Sequence, residues 1–241
     1  MIRQNLRAIL DTISNRALLS NRHPDEIQLI AVTKTMPVTA LEEAVQCGQH
    51  VFGENYIQEA SLKKEALGDR VALHMLGHIQ SNKAKIAAQV FDMIHTVDSM
   101  KLASILDRHL DSLGRTMKVL VQVNIGDDPN KSGTIPEKTE DLLRQLMTLK
   151  RIKTVGLMTI PPITSTPEDA RPHFRALKQL AEDLSRQELF LNNAKVELSM
   201  GMSDDFEIAI EEGATMVRIG TAIFGHRPQA QPAITTQSTK E

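Results

Sequence analysis

The sequence predicts an α/β protein folded as a single (β/α)8 TIM-type barrel with an extra N-terminal helix. Three observations lead there. Eight short apolar runs rich in β-formers recur along the chain. Each is followed by enough sequence for a crossover helix, and over most of the length their starts lie about 20 to 25 residues apart. Eight such units in 241 residues suit a closed parallel barrel. A doubly wound open sheet is the alternative, but it normally places a Gly-rich turn after its first strand, and here that turn reads "KTMP".

Ile2–Leu19 is amphipathic and reads as the extra helix. The first strand runs Leu29–Lys34, and a turn marked by Pro37 leads into a helix with Thr39 and Glu42 at capping-box spacing and Gly48 at its end. Strands two to four are Val51–Asn55, Ala72–Gly77 and Met93–Val97, with Ser81 and Asp98 as N-cap candidates for the helices that follow. The fifth strand is Lys118–Asn124. Two long polar loops, "GDDPNKSGTIPE" and "PPITSTPED", flank the sixth, Thr154–Thr159, and Thr166-Pro167-Glu168 then gives an N-cap with proline at N1. Lys195–Gly201 and Met216–Thr221 complete the set. The barrel domain is expected over residues 1–226. Residues 227–241, polar, aperiodic and rich in Pro, Thr and Gln, read as a disordered tail.

Composition narrows the function classes. A formal charge of −2 and a pI near 6.5 give no general attraction to nucleic acid or to an anionic membrane. The single cysteine, Cys47, excludes an intramolecular disulfide and a Cys-rich metal site, and reads as a small core residue. His74 and His78 are four apart, but they lie in and just after a strand rather than sharing a helix face and no Cys accompanies them, so no metal is expected. The N-terminal segment has no uninterrupted apolar run, and no stretch reaches transmembrane length. A cytoplasmic protein with a small-molecule ligand is expected.

In such barrels the active site forms at the C-terminal strand ends, often with a phosphate site after strands seven and eight. After strand seven, "LSMGMSDDFEIAI" offers the Ser199 hydroxyl, Gly201 for close backbone approach and Ser203 at a helix start. After strand eight, Gly220 and Thr221 supply an N–H and a hydroxyl at matching height. The plainer alternative is two tight turns with capping serines. Lys34 shares the parity of Ile30 and Val32, and barrel closure brings strand one beside strand eight. Its amine could be a counter-charge, a Schiff-base partner for an aldehyde such as that of pyridoxal phosphate, or a solvated strand-end lysine. Arg218 lies on the opposite face from Val217 and Ile219; an inward guanidinium needs a ligand or a carboxylate such as Glu54 or Glu197. Further polar residues at strand ends are Asn55, Tyr56, His74, His78, His95, Asp98, Asn124 and Thr159, with Met158 beside the last.

The stretches "AVTKTMP", "FGENYIQEA", "HMLGHIQSNKAK", "HTVDS", "VLVQVNI", "KSG", "GLMTI" and "LSMGMSDDFEIAIEEGATMVRIGTAIFG" together resemble the YggS/PROSC family of pyridoxal phosphate homeostasis proteins, relatives of the alanine racemase barrel. The resemblance implies that Lys34 holds pyridoxal phosphate as an aldimine, that Ser199, Gly201, Gly220 and Thr221 hold its phosphate, and that Arg218 faces the pyridine nitrogen. It also implies that Asn55, His78 and Met158 line the cofactor. Leu73 stands where family members often carry an aromatic, and "DDPN" where they carry a glutamate before "KSG".

A guanidinium only donates, so a ring nitrogen facing it stays unprotonated and the ring becomes a weaker electron sink. In alanine racemases the second acid/base is a tyrosine delivered by an additional domain of a partner subunit. No room for that domain is expected after Phe224, and Tyr56 is the only tyrosine. The expected function is therefore binding and delivery of pyridoxal phosphate in vitamin B6 and amino-acid homeostasis, with PLP-dependent apo-enzymes as partners and a monomeric or weakly dimeric chain. An amino-acid racemase is the alternative; a Schiff-base aldolase or phosphosugar isomerase is a third reading.

Overall fold

The structure, a computed structural model, describes residues 1–225 except 127, 129, 130, 163 and 164. The reading of 227–241 as a tail, and residue 226, lie outside the described residues. Eight parallel strands close into a barrel in chain order: β1 Gln28–Val32, β2 Val51–Glu54, β3 Ala72–Met75, β4 Met93–Val97, β5 Met117–Gln122, β6 Ile152–Met158, β7 Glu197–Ser199 and β8 Met216–Ile219. The open sheet is thereby excluded, since β1 pairs with β8 through Ile30 and Arg218 and through Ala31 and Ile219. All eight predicted strands are present, but most end earlier than expected. Lys34, Asn55, Gly77, Asn124, Gly201 and Thr221 lie beyond the ladders, where the chain turns over the barrel rim. At Thr35 that turn requires a φ of 64° in a residue other than glycine.

Period-two alternation sorts the side chains into two apolar layers. Leu29, Ala31, Phe52, Leu73, Val119, Leu157, Val217 and Ile219 face outward against the helices. Ile30, Leu76, Met93, Leu120, Val155, Met158 and Met216 fill the interior, joined by half-buried Val32, Val51 and Ile160. Interior parity also brings in polar groups: His74, His95, Gln122, Ser199 and Arg218 are all buried.

The crossover helices are α2 Val38–Gln46, α3 Ile57–Leu67, α4 Ala84–Val90, α5 Met100–Ser112, α6 Pro136–Leu146, α7 Arg171–Arg186 and α8 Phe206–Glu211, and the short α9 Thr221–Phe224 follows β8. The predicted extra helix is α1, Ile2–Leu19. It buries Leu6, Ile13 and Ala17, bonds Asn5 to the Ile223 carbonyl at 2.9 Å, and ties Arg16 to Glu207 and Glu211 on α8. Cys47 caps α2 half-buried, and Gly48 follows with φ 90°.

Most helix starts differ from expectation by one to a few residues. Pro37 precedes α2, which leaves Thr39 inside the first turn rather than at the cap. Ser81 opens a short 3-10 turn behind Gln80, and Ser99 rather than Asp98 caps α5 by accepting from the Leu102 N–H at 3.4 Å. Ser203 is not a cap either: Asp205 precedes α8 and its carboxylate accepts from the Met202 N–H at 2.6 Å. Only Thr166 caps as expected, ahead of a 3-10 turn over Pro167–Ala170. Neighbouring Ser, Thr and Asp compete for the same orphan N–H groups, and backbone geometry picks the winner.

The β6 register shifts opposite Val119 and Leu120, which brings Gly156 onto the backbone of β7. A Cβ there would overlap the Glu197 carbonyl. Gly156→Ala is therefore expected to lower the urea midpoint by an amount equivalent to about 1–3 kcal/mol, as overpacking does. An unchanged midpoint would show that β6 and β7 can separate freely.

Candidate functional site

At the C-terminal mouth a cavity of about 180 Å³ is lined by Val32, Lys34, Asn55, Leu76, Met158, Ile160, Met202, Ser203, Arg218, Gly220 and Thr221. It adjoins a second hollow of about 690 Å³ through Ile160, Met202 and Ser203. Two cations, Lys34 and Arg218, face it, and among the described residues no carboxylate lines it. Such a lining suits a small anion with an apolar body.

Lys34 is positioned by its neighbours on α3. Lys63 donates to the Thr33 carbonyl at 2.6 Å, and Glu59 accepts from the Thr35 N–H at 2.7 Å. The two α3 residues are four apart, so one helix face grips both sides of the lysine. Beneath them Glu54 accepts from Lys63 and from the Thr33 hydroxyl, each at 2.6 Å. The Glu54 carboxylate is wholly buried, and among the described residues its Oε2 has no partner. Burial raises its pKa, opposed by the Lys63 charge.

Arg218 forms the floor. Its Nη1 donates to the Ser199 hydroxyl at 2.8 Å and its Nη2 to the Thr159 carbonyl at 2.9 Å. Neither Glu54 nor Glu197 pairs with it: Glu54 lies on the outward side of β2, and Glu197 accepts from Thr215 at 2.6 Å. Burial pulls the arginine pKa down to about 10, which leaves it charged at neutral pH. Behind Ser199, His95 Nδ1 lies 2.9 Å from the hydroxyl and His95 Nε2 lies 3.0 Å from His74 Nδ1. Burial pushes the His74 pKa down to about 4 and that of His95 well below its usual value, so both are neutral.

Of the nine predicted site residues, Lys34, Asn55, Met158, Arg218, Gly220 and Thr221 meet in the cavity. The other three do not line it. The Ser199 side chain is fully buried and its hydroxyl is engaged by Arg218 and His95, so it faces the floor rather than the rim. His78 is exposed and outside the lining, because the chain has already turned away from β3. Gly201 contributes backbone only: with φ 91°, a Cβ would lie 2.6 Å from the Ala209 Cβ, so the glycine lets the loop pass over α8. Ser203, first read as a cap, and Met202 take places in the cavity. Interior parity alone, shared by His74 with Leu76 and by His95 with Met93, was the signal that could have placed both histidines behind the site.

Tyr56 is 54% exposed and absent from the lining. Among the described residues no cluster of His, Cys, Asp or Glu could hold a metal, and no helix is long and apolar enough to cross a membrane.

Residues 6–228 match the family described as "Alanine racemase, N-terminal domain". The chain is 40% identical over 225 residues to the pyridoxal phosphate homeostasis protein of Aquifex aeolicus, covering 93% of this chain and 97% of the relative. Against the protein of the same name from Escherichia coli it is 40% identical over 230 residues, covering 94% and 97%. PipY of Synechococcus elongatus, solved with PLP bound, superposes with a TM-score of 0.80 at 38% identity, covering 93% of this chain and all of that one. An alanine racemase from Clostridium difficile shares the fold, with a TM-score of 0.70 at 19% identity over 93% of this chain and 57% of that chain. The chain therefore belongs to the alanine racemase N-terminal domain family, in its branch of pyridoxal phosphate homeostasis proteins.

Proposed function

We propose that this chain binds pyridoxal phosphate through Lys34 and holds and releases it in cytosolic vitamin B6 and amino-acid homeostasis. The observation that carries the reading is the pairing of Lys34 with Arg218 in one small cavity that no carboxylate among the described residues lines. The names of its relatives and the PLP-bound PipY support it.

The residues present fit the group. Pyridoxal phosphate supplies an aldehyde that condenses reversibly with a primary amine and expels water. Lys34 offers that amine from a turn held by Lys63 and Glu59. Arg218 lines the cavity with donors to spare, since Ser199 and Thr159 take one Nη bond each. A donor-only group keeps a facing ring nitrogen unprotonated. Thr221 opens α9 directly after Gly220, so the first N–H groups of that turn lack intrahelical acceptors and suit a phosphate beside Ser203. Leu76 and Met158 supply apolar walls.

The reading is a carrier for PLP-dependent apo-enzymes rather than a racemase. Tyr56 stands outside the cavity, and among the described residues no second acid/base lines it opposite Lys34. A monomer or weak dimer is expected in sedimentation.

Purified protein incubated with pyridoxal phosphate should gain a visible absorbance band that survives gel filtration and is absent in Lys34→Ala. The loaded protein should restore activity to a PLP-dependent apo-enzyme, while alanine in heavy water gains negligible deuterium at Cα. A wild-type protein without the band would sink the binding reading; Lys34-dependent deuterium uptake at enzymatic rates would replace the carrier with a racemase.

A further inference from the structure

The interior of the barrel holds a chain of hydrogen bonds that reaches from the floor of the cofactor cavity toward the opposite mouth. Its members are Arg218, Ser199, His95 and His74, contributed by four different strands. All four are at least nine-tenths buried. Polar groups so placed are retained only when their donors and acceptors match.

Matching fixes the direction of every bond. Arginine has no acceptor, so the Ser199 oxygen accepts from Nη1. The serine hydrogen then needs an acceptor of its own, and His95 Nδ1 at 2.9 Å is the atom in reach. Neutral His95 with a bare Nδ1 carries its hydrogen on Nε2 and donates it to His74 Nδ1 at 3.0 Å. His74 in turn carries its hydrogen on Nε2, on the side of a cavity of about 530 Å³ at the lower mouth lined by Gln28, Asp92 and Lys118 among others. The opposite tautomer of His95 would aim two donors at the Ser199 oxygen and leave the serine hydrogen without an acceptor among the described residues.

We propose that His95 is a positioning residue for the cofactor: by accepting the Ser199 hydrogen it makes that oxygen an acceptor for Arg218 and locks the guanidinium plane under the cavity. Arg218 has two anchors, and the Thr159 carbonyl alone would let the guanidinium pivot. A serine that donates onward is a stronger acceptor, so the relay tightens the anchor it supports. His95 touches neither the cavity nor the reacting groups. This inference rests on the pyridoxal phosphate reading above.

The test uses His95→Leu, His95→Asn, Ser199→Ala and the double variant His95→Leu/Ser199→Ala, each first shown to unfold cooperatively in urea without cofactor. Asparagine can keep an acceptor near the position of Nδ1. Affinity for pyridoxal phosphate is measured by fluorescence titration, and ring orientation by the induced circular dichroism of the visible band. His95→Leu and Ser199→Ala are expected to weaken binding by about tenfold or more, the scale of one buried hydrogen bond to a charged group, and to change the induced signal alike. The double variant should be no weaker than either single one, and His95→Asn should retain most of the wild-type signal.

Unchanged affinity and dichroism in Ser199→Ala would overturn the proposal, as would losses that simply add in the double variant. Should His95→Leu fail to fold, Ser199→Ala against His95→Asn still decides the matter. Failure of wild-type protein to show any band would instead strike the proposed function, so the two failures are distinct.

Discussion

Replacing Lys63 with methionine is expected to destabilise the protein by about 3–5 kcal/mol, the cost of stranding one partner of a buried ion pair. Lys63 is 3% exposed and Glu54 wholly buried, and the pair is 2.6 Å apart with the Thr33 hydroxyl on the same oxygen. Once the ammonium is gone, only the Thr33 hydroxyl bond opposes the desolvation that already raises the Glu54 pKa. The carboxyl then takes up a proton more readily in the folded than in the unfolded state. The deficit of the variant relative to wild type should accordingly shrink as pH falls and be largest at neutral pH and above. Glu54→Leu combined with Lys63→Met should recover more than half of the loss, because an apolar pair of similar volume needs no counter-charge. Urea unfolding of the single and double variants at two pH values checks this, and additive losses would refute the coupling. The single variant should also bind pyridoxal phosphate more weakly, since Lys63 holds the carbonyl next to Lys34.

Acid should weaken the fold through His74 and His95. Both have folded-state pKa values below their unfolded ones, with burial as the leading cause, and that of His74 is about 4. The unfolded chain therefore binds more protons in the window between about 6.5 and 4, and stability falls as pH drops through it. With a folded-state value of about 4, linkage gives a loss of roughly 2–3 kcal/mol between pH 7 and 4.5 from His74. His74→Gln should flatten that part of the curve by a similar amount, measured against wild type so that the carboxylates common to both cancel. An unaltered slope would mean that His74 gains water access and protonates without unfolding.

The depth of legibility varies by residue. Lys34 and Arg218 were readable because parity states which side of a strand a residue faces, and barrel closure makes β1 and β8 neighbours. Asn55 and Met158 followed from position at a strand end and from the family motifs. His78 and Ser199 lie outside the cavity lining for opposite reasons. His78 has the motif position but lies where the chain bends outward, whereas Ser199 keeps strand parity and so points into the barrel, below the rim. Ser203 was seen and given a capping role because its sequence position fits a helix start, but Asp205 makes the bond.

By itself the sequence determined the class, the eight strands, the added helix and the inward residues, because each depends on local periodicity and on the identity of one side chain. Tertiary structure alone decided which inward groups meet. His95 finds Ser199 across 104 residues of chain, and Lys63 finds Thr33 across 30. Periodicity gives the direction in which a side chain leaves its strand, but not its height along the barrel or which strands it faces across the interior. Those quantities are set by strand stagger and by packing around the closed sheet, and they determine which atoms hold Lys34 and Arg218 in place.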